Sequence, residues 1–191
     1  MEMSKFEKLF VNSNLFNFIY KKNIYDSFLN FIGSDVKGSL LEIGCGIGKT
    51  THFLAGKYNK IKITAIDYDN GQIETAKKNK KFNNIEFRQG DATLLKFKNN
   101  SFDYVIETNV FHHIKNYEGA IKEARRVLKK SGYFYLMDIS QYFLGLPLVR
   151  LLFPPESYIT KSILLEKLKE NNFKIEKSEG GLIFFILAKK V

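Results

Sequence analysis

The chain has 191 residues, 45% hydrophobic and 26% charged, the balance of one globular domain with room for a full core. One cysteine, Cys45, excludes an internal disulfide framework or a cysteine metal site and fits a reducing, cytoplasmic setting. The net charge of +10 invites a nucleic-acid reading, but only four of the 30 basic residues are arginines, the type suited to bidentate phosphate and base contacts. Nucleic acid is therefore not the expected partner, and the spread lysines are read as solvated faces that steer an acidic substrate or partner. Residues 1–5 carry no apolar core of signal-peptide type, and the longest apolar runs, such as 182–188, are far too short to span a membrane.

Before the first strand, Phe6, Leu9, Phe10, Leu15, Phe16, Phe18, Ile19 and Tyr20, then Tyr25, Phe28, Leu29 and Phe31, recur at near-helical spacing. They predict two or three amphipathic helices that either pack on the sheet or form a lid, residues 1–38, over the pocket that follows. Residues 39–43 are an apolar run with one acid, a short strand buried on both faces. Strands then alternate with helices: strand 61–66, helix 71–79, strand 84–88, a loop over 93–101, strand 102–107, helix 118–130, and strand 133–137. Ser131-Gly132 is read as the stop of the long helix. Residues 141–155 are apolar with proline stops and read as a helix or loop over the sheet end. A helix over 160–170 and strands 173–177 and 182–188, joined across Glu179-Gly180-Gly181, close the chain. The short turn makes that last pair antiparallel. Alternation implies a parallel sheet with right-handed crossovers. The expected fold is a Rossmann-like α/β domain: seven strands, mostly parallel, the last antiparallel, with helices on both faces.

The turn after the first strand carries the strongest signal, Glu42-Ile43-Gly44-Cys45-Gly46-Ile47-Gly48-Lys49-Thr50. Strand, glycine loop and helix bring backbone N–H groups up to a ligand. A phosphate-binding G-x-x-x-x-G-K-[ST] loop would need its first glycine at 43, which is Ile43. A dinucleotide G-x-G-x-x-G fingerprint would need its third at 49, which is Lys49. What remains is E-x-G-x-G-x-G, whose acid suits a cationic ligand tail better than a pyrophosphate.

Ligands of open α/β sheets sit at the carboxyl ends of the strands. Asp67, nineteen residues past Gly48, is placed to accept from two ribose hydroxyls. Asp91 can accept from an exocyclic amine. After the fourth strand come Glu107-Thr108-Asn109-Val110-Phe111-His112-His113. A nucleoside joined to an amino-acid tail fits these acceptors, and S-adenosyl-L-methionine is such a molecule.

On these residues the chain resembles the class I S-adenosylmethionine-dependent methyltransferases of the broad small-molecule type. The likeness runs in order over roughly residues 38–140: Leu40 to Gly48, Ala65-Ile66-Asp67, Gly90-Asp91-Ala92, Ser101-Phe102-Asp103, Phe111-His112-His113-Ile114 and Glu123 to Gly132. It implies that Glu42, Gly44, Cys45, Gly46 and Gly48 hold the methionine end, Asp67 the ribose and Asp91 the adenine. Tyr68, Ala92, Glu107, Thr108 and Asn109 are the implied neighbours of the nucleoside. It also implies one domain, with 39–140 as the cofactor core and 141–191 supplying a substrate-side segment, a helix and a hairpin. The expected reaction is methyl transfer to a small-molecule acceptor by in-line displacement, where the protein mainly positions and desolvates.

His112 and His113 are the catalytic candidates, as bases for an acceptor that must lose a proton. No [ND]-P-P-[YF] follows the fourth strand and no cysteine lies near it, which weighs against amine methylation of bases and against pyrimidine C5 chemistry. The competing readings are an RNA or protein methyltransferase and a non-catalytic module that binds S-adenosylmethionine.

Overall fold

The computed structural model describes residues 29–140, 159–181 and 183–191. The expected helices over residues 1–28 and the apolar segment 141–155 lie outside them. Seven strands form one sheet: β1 (Gly38–Ile43), β2 (Ile61–Asp67), β3 (Ile85–Gln89), β4 (Phe102–Thr108), β5 (Leu128–Ile139), β6 (Phe173–Gly180) and β7 (Ile183–Lys190). Their order is β3-β2-β1-β4-β5-β7-β6. β1 pairs in parallel with β2 and β4, and β7 runs antiparallel to both β5 and β6, so one strand is reversed as expected.

Among the described residues, helices α1 (Lys49–Lys57), α2 (Asn70–Lys78), α3 (Tyr117–Val127) and α4 (Lys161–Glu170) cover the sheet. Leu54, Ala55, Ile73 and Ala76 of α1 and α2 pack with Leu40 and Ile63 on one face. Ala120, Ile121, Ala124, Leu164 and Leu168 of α3 and α4 pack with Leu41, Val105 and Phe134 on the other. Leu40 and Leu41 point to opposite cores because strand side chains alternate, which is why β1 reads as a continuous apolar run. Of the amino-terminal segment, Phe31, Ile32 and Val36 are buried in the first of these cores, and Tyr58 donates its O–H to Gly33 O at 2.6 Å. Residues 31–36 thus pack on the sheet.

The expected helix over 118–130 ends sooner, at Val127, and β5 starts at the next residue rather than at 133. Lys129 and Lys130 continue the amphipathic pattern, so nothing local marks the end. Tertiary pairing does: Leu128 turns extended, sits opposite Phe102 and buries its side chain. The register then shifts to Tyr104 opposite Tyr133, with Ser131 left-handed at φ 62°. Ser131-Gly132 is therefore a bulge, not a helix stop.

Asp103 fastens this region. It accepts the Ser39 N–H at 2.8 Å and O–H at 2.7 Å, and it meets Lys129 Nζ at 2.9 Å from both oxygens. Burial pushes its pKa up, but these donors prevail and hold it below the usual carboxylate value. Arg126 secures the loop before β4, donating to Leu95 O and Phe97 O at 2.7 Å each while Glu123 takes its Nε at 2.7 Å.

Candidate active site

The carboxyl ends of β1, β2 and β4 converge on the glycine loop. Gly44, Gly46 and Gly48 have φ of 71°, 53° and 81°, the left-handed region that glycine enters freely. They differ in what surrounds them. A Cβ on Gly44 would overlap Val110, and one on Gly48 would lie 2.6 Å from the Phe87 ring. A Cβ on Gly46 would meet nothing within 4 Å, so this glycine faces open space. The loop is laced to β2: Gly44 and Cys45 N–H donate to Ile66 O at 2.8 and 2.9 Å, and Gly46 N–H donates to Asp67 Oδ2 at 2.7 Å. Asp67 Oδ1 takes the Asp69 N–H at 2.9 Å, and Asp69 in turn caps α2. Asp67 thus shapes the loop as well as standing at the strand end expected for a ribose.

Glu42 is fully buried beneath this loop. Its Oε2 accepts the Thr51 hydroxyl at 2.5 Å, while Oε1 is buried with no hydrogen-bond partner among the described residues. Burial, opposed by the Thr51 hydrogen bond and reinforced by the Asp67 charge, pushes its pKa up to about 7. Cys45 is also buried, and its thiol is pushed well up by burial and by the charges of Glu42 and Asp67, so it stays a neutral packing group.

Tyr68 is 53% exposed beside Asp67. Asp91 Oδ1 accepts both the N–H and O–H of Thr93 at 2.8 Å, and its Oδ2 accepts no hydrogen bond among the described residues. Ala92 is half-buried and packs against the core cluster that holds Leu41 and Ile66. Thr108 and Asn109 are half-buried at the end of β4, and Asn109 takes left-handed φ 58° while its N–H donates to Met137 O at 2.7 Å. Glu107 has a different placement from these neighbours. It is fully buried, with Oε1 accepting the N–H groups of Val110 and Phe111 at 2.5 and 3.2 Å. Burial and the Asp138 charge push its pKa well up. Its visible task is to fold the turn that presses Val110 on Gly44.

That turn, a 3-10 helix over Phe111–His113, carries both histidines. His112 is buried, with Nδ1 2.5 Å from Asp138 Oδ1 and its N–H 3.3 Å from Asp138 Oδ2. The His113 ring lies tilted against that of His112, with 4.0 Å between centroids, and burial and the His112 charge push its pKa down to about 3. Sequence reasoning missed Asp138 as a site residue. The available signal was the one that marked Glu42, Asp67 and Glu107: an acid ending an apolar strand.

A Rossmann-like sheet with an acid-backed glycine loop defines a nucleoside-binding α/β protein. Residues 41–136 match the methyltransferase-domain family model, and the chain belongs to that family. It is 32% identical over 106 residues to a fatty-acid O-methyltransferase of Mycolicibacterium smegmatis, covering 55% of this chain and 39% of the relative. It is 31% identical over 146 residues to a demethylmenaquinone methyltransferase of Staphylococcus haemolyticus, covering 72% and 57%. The chain therefore spans roughly two fifths to somewhat over half of these curated relatives. A SAM-dependent methyltransferase from Aquifex aeolicus shares the fold over 100% of both chains, with a TM-score of 0.78 at 18% identity. S-adenosylmethionine is the cofactor this family indicates, and the residues fit it: the open space at Gly46 lets a ligand approach the main chain of the loop, and the Glu42 oxygen with no partner among the described residues offers an acceptor to a cationic tail.

Proposed function

We propose that the chain is an S-adenosylmethionine-dependent methyltransferase acting on a small, largely apolar acceptor in the cytoplasm. The observation that carries the reading is the glycine cradle bonded to Asp67 over the buried Glu42 oxygen that has no partner among the described residues. Glu42 and the glycine loop would hold the amino-acid end, Asp67 and Tyr68 the ribose, and Asp91 with Ala92 the base. The bound cofactor supplies an already activated methyl group, so the protein's work is positioning and water exclusion. His112 receives the proton of a hydroxyl acceptor, its ring held by Asp138 in the way a carboxylate orients a catalytic imidazole. The two relatives named above, one acting on fatty acids and one on a quinone precursor, support an apolar acceptor.

Calorimetric titration with S-adenosylmethionine and its demethylated product tests the cofactor assignment, wild type beside Asp67→Ala. Micromolar binding that weakens at least about tenfold in the variant is expected, since the acceptor of two main-chain N–H groups and of the nucleoside is removed at once. Wild-type protein that binds neither ligand would overturn the reading. A panel of hydroxylated fatty acids and quinols, scored for methyl transfer, then tests the acceptor class.

A further inference from the structure

His52 stands in the first turn of α1 and lies half-buried between two phenyl rings. The centroids of Phe82 and Phe87 are 6.2 and 5.8 Å from its own. Both nitrogens of its imidazole meet the main chain. Nδ1 lies 2.5 Å from Gly48 O, and the Lys81 N–H donates to Nε2 at 3.3 Å. A carbonyl oxygen only accepts, so Nδ1 carries a proton. A main-chain N–H only donates, so Nε2 is bare. One form of the side chain satisfies both, the neutral ring with its proton on Nδ1.

These two contacts join separate parts of the cofactor cradle. Gly48 is the last glycine of the loop and the N-cap residue of α1, with left-handed φ 81° and no side-chain cap. Its carbonyl takes the His52 main-chain N–H at 2.9 Å as well as the ring. A glycine has no side chain to resist rotation of its peptide planes, so the ring donor adds a restraint that the loop itself does not supply. Phe87 closes on the same residue: a Cβ on Gly48 would lie 2.6 Å from Phe87 Cζ and 3.3 Å from His52 Nδ1. Lys81 lies in the link from α2 to β3, and β3 runs on to Gly90-Asp91, where the acceptor for the base is expected. The imidazole thus bridges the methionine end of the site to the chain that leads into its adenine end.

We propose that His52 is a positioning residue for S-adenosylmethionine. Its ring holds the Gly48 carbonyl, and with it the end of the glycine loop, in the cofactor-binding shape and fastens that loop to the α2–β3 link. It acts through Gly48 and not on the reacting atoms. The inference rests on the cofactor assignment above.

Long-range ¹H–¹⁵N spectra of the imidazole in the ligand-free full chain, in mildly alkaline buffer, test the latch without any cofactor. A neutral ring with its proton on Nδ1 is expected, and a proton on Nε2 or an even exchange between the two would overturn the proposal. Calorimetry with S-adenosylmethionine tests the positioning. His52→Phe keeps a ring between Phe82 and Phe87 but loses both hydrogen bonds, and should weaken binding at least about tenfold. In His52→Asn the amide nitrogen takes the place of Nδ1 and still donates to Gly48 O, so affinity should return to within about threefold of wild type. His52→Phe binding as tightly as wild type would overturn the role. So would His52→Asn binding as weakly as His52→Phe, because a role in packing alone favours the phenyl ring. Wild-type chain that shows the Nδ1–H ring yet binds no S-adenosylmethionine would sink the cofactor assignment, and the positioning role with it.

Discussion

Glu42 sits in the glycine turn at a cost to folding. Its folded pKa of about 7 lies above the ordinary glutamate value of 4.5, so the neutral form is favoured in the folded state. Stabilisation from it is complete below about pH 4.5 and is lost as pH rises through 7. Glu42→Gln should therefore be more stable than wild type at pH 8, by up to about 3 kcal/mol, with the gap closing near pH 5. Thermal melts across that range measure it, and a gap independent of pH would refute the buried-carboxyl account. The same variant should bind S-adenosylmethionine more weakly, because a neutral amide replaces the partner of a cationic tail. The histidines divide similarly. A ring held neutral down to about pH 3 is a feeble proton acceptor at working pH, whereas Asp138 stands behind His112. For a hydroxyl acceptor, His112→Asn should lower kcat about a hundredfold with cofactor affinity kept, and His113→Asn less than about tenfold. Steady-state kinetics beside calorimetry decide between them.

At the scale of elements, the glycine loop is held by different constraints at each position. Gly44→Ala meets both a left-handed backbone and Val110, while Gly46→Ala meets only the backbone. The second should cost about 1–2 kcal/mol and the first clearly more. Both should abolish cofactor binding, Gly46→Ala by filling the open space. Equal denaturation midpoints for the two would show that Val110 yields freely. Helix caps away from the site give the control. Thr160 accepts the Ile163 N–H at 2.9 Å, so Thr160→Ala should cost about 1 kcal/mol in urea titrations and leave cofactor affinity unchanged. Much of this level was legible in the chain. Asp69 caps α2 through a local pattern, an acid two residues past the end of a strand. The end of α3 was not legible, because Leu128 leaves the helix to pair with a residue of β4 that no local pattern names.

Across the molecule, stability should be graded from the centre of the sheet to its edges. Leu41, Val105 and Leu136 are wholly buried on β1, β4 and β5, each paired on both sides, whereas β3 and β6 are the edge strands. Hydrogen exchange should release the amides of those three residues only by global unfolding, and β3 and β6 by local opening. Uniform protection across all seven strands would contradict that grading. What the sequence determined by itself is the alternation of strand and helix, the reversed last strand, the glycine turn and the acids Glu42, Asp67 and Glu107 at strand ends. Each is encoded by residues within one element or one turn, where periodicity, glycine and charge act locally. Tertiary structure alone decided the rest. It paired His112 with Asp138, 26 residues away, set Thr51 on Glu42 and turned Ser131-Gly132 into a bulge. It also carried Lys190 to Asn100 across 90 residues. Those partners meet only once the sheet has closed, because the order of its strands, not their order in the chain, fixes which side chains become neighbours.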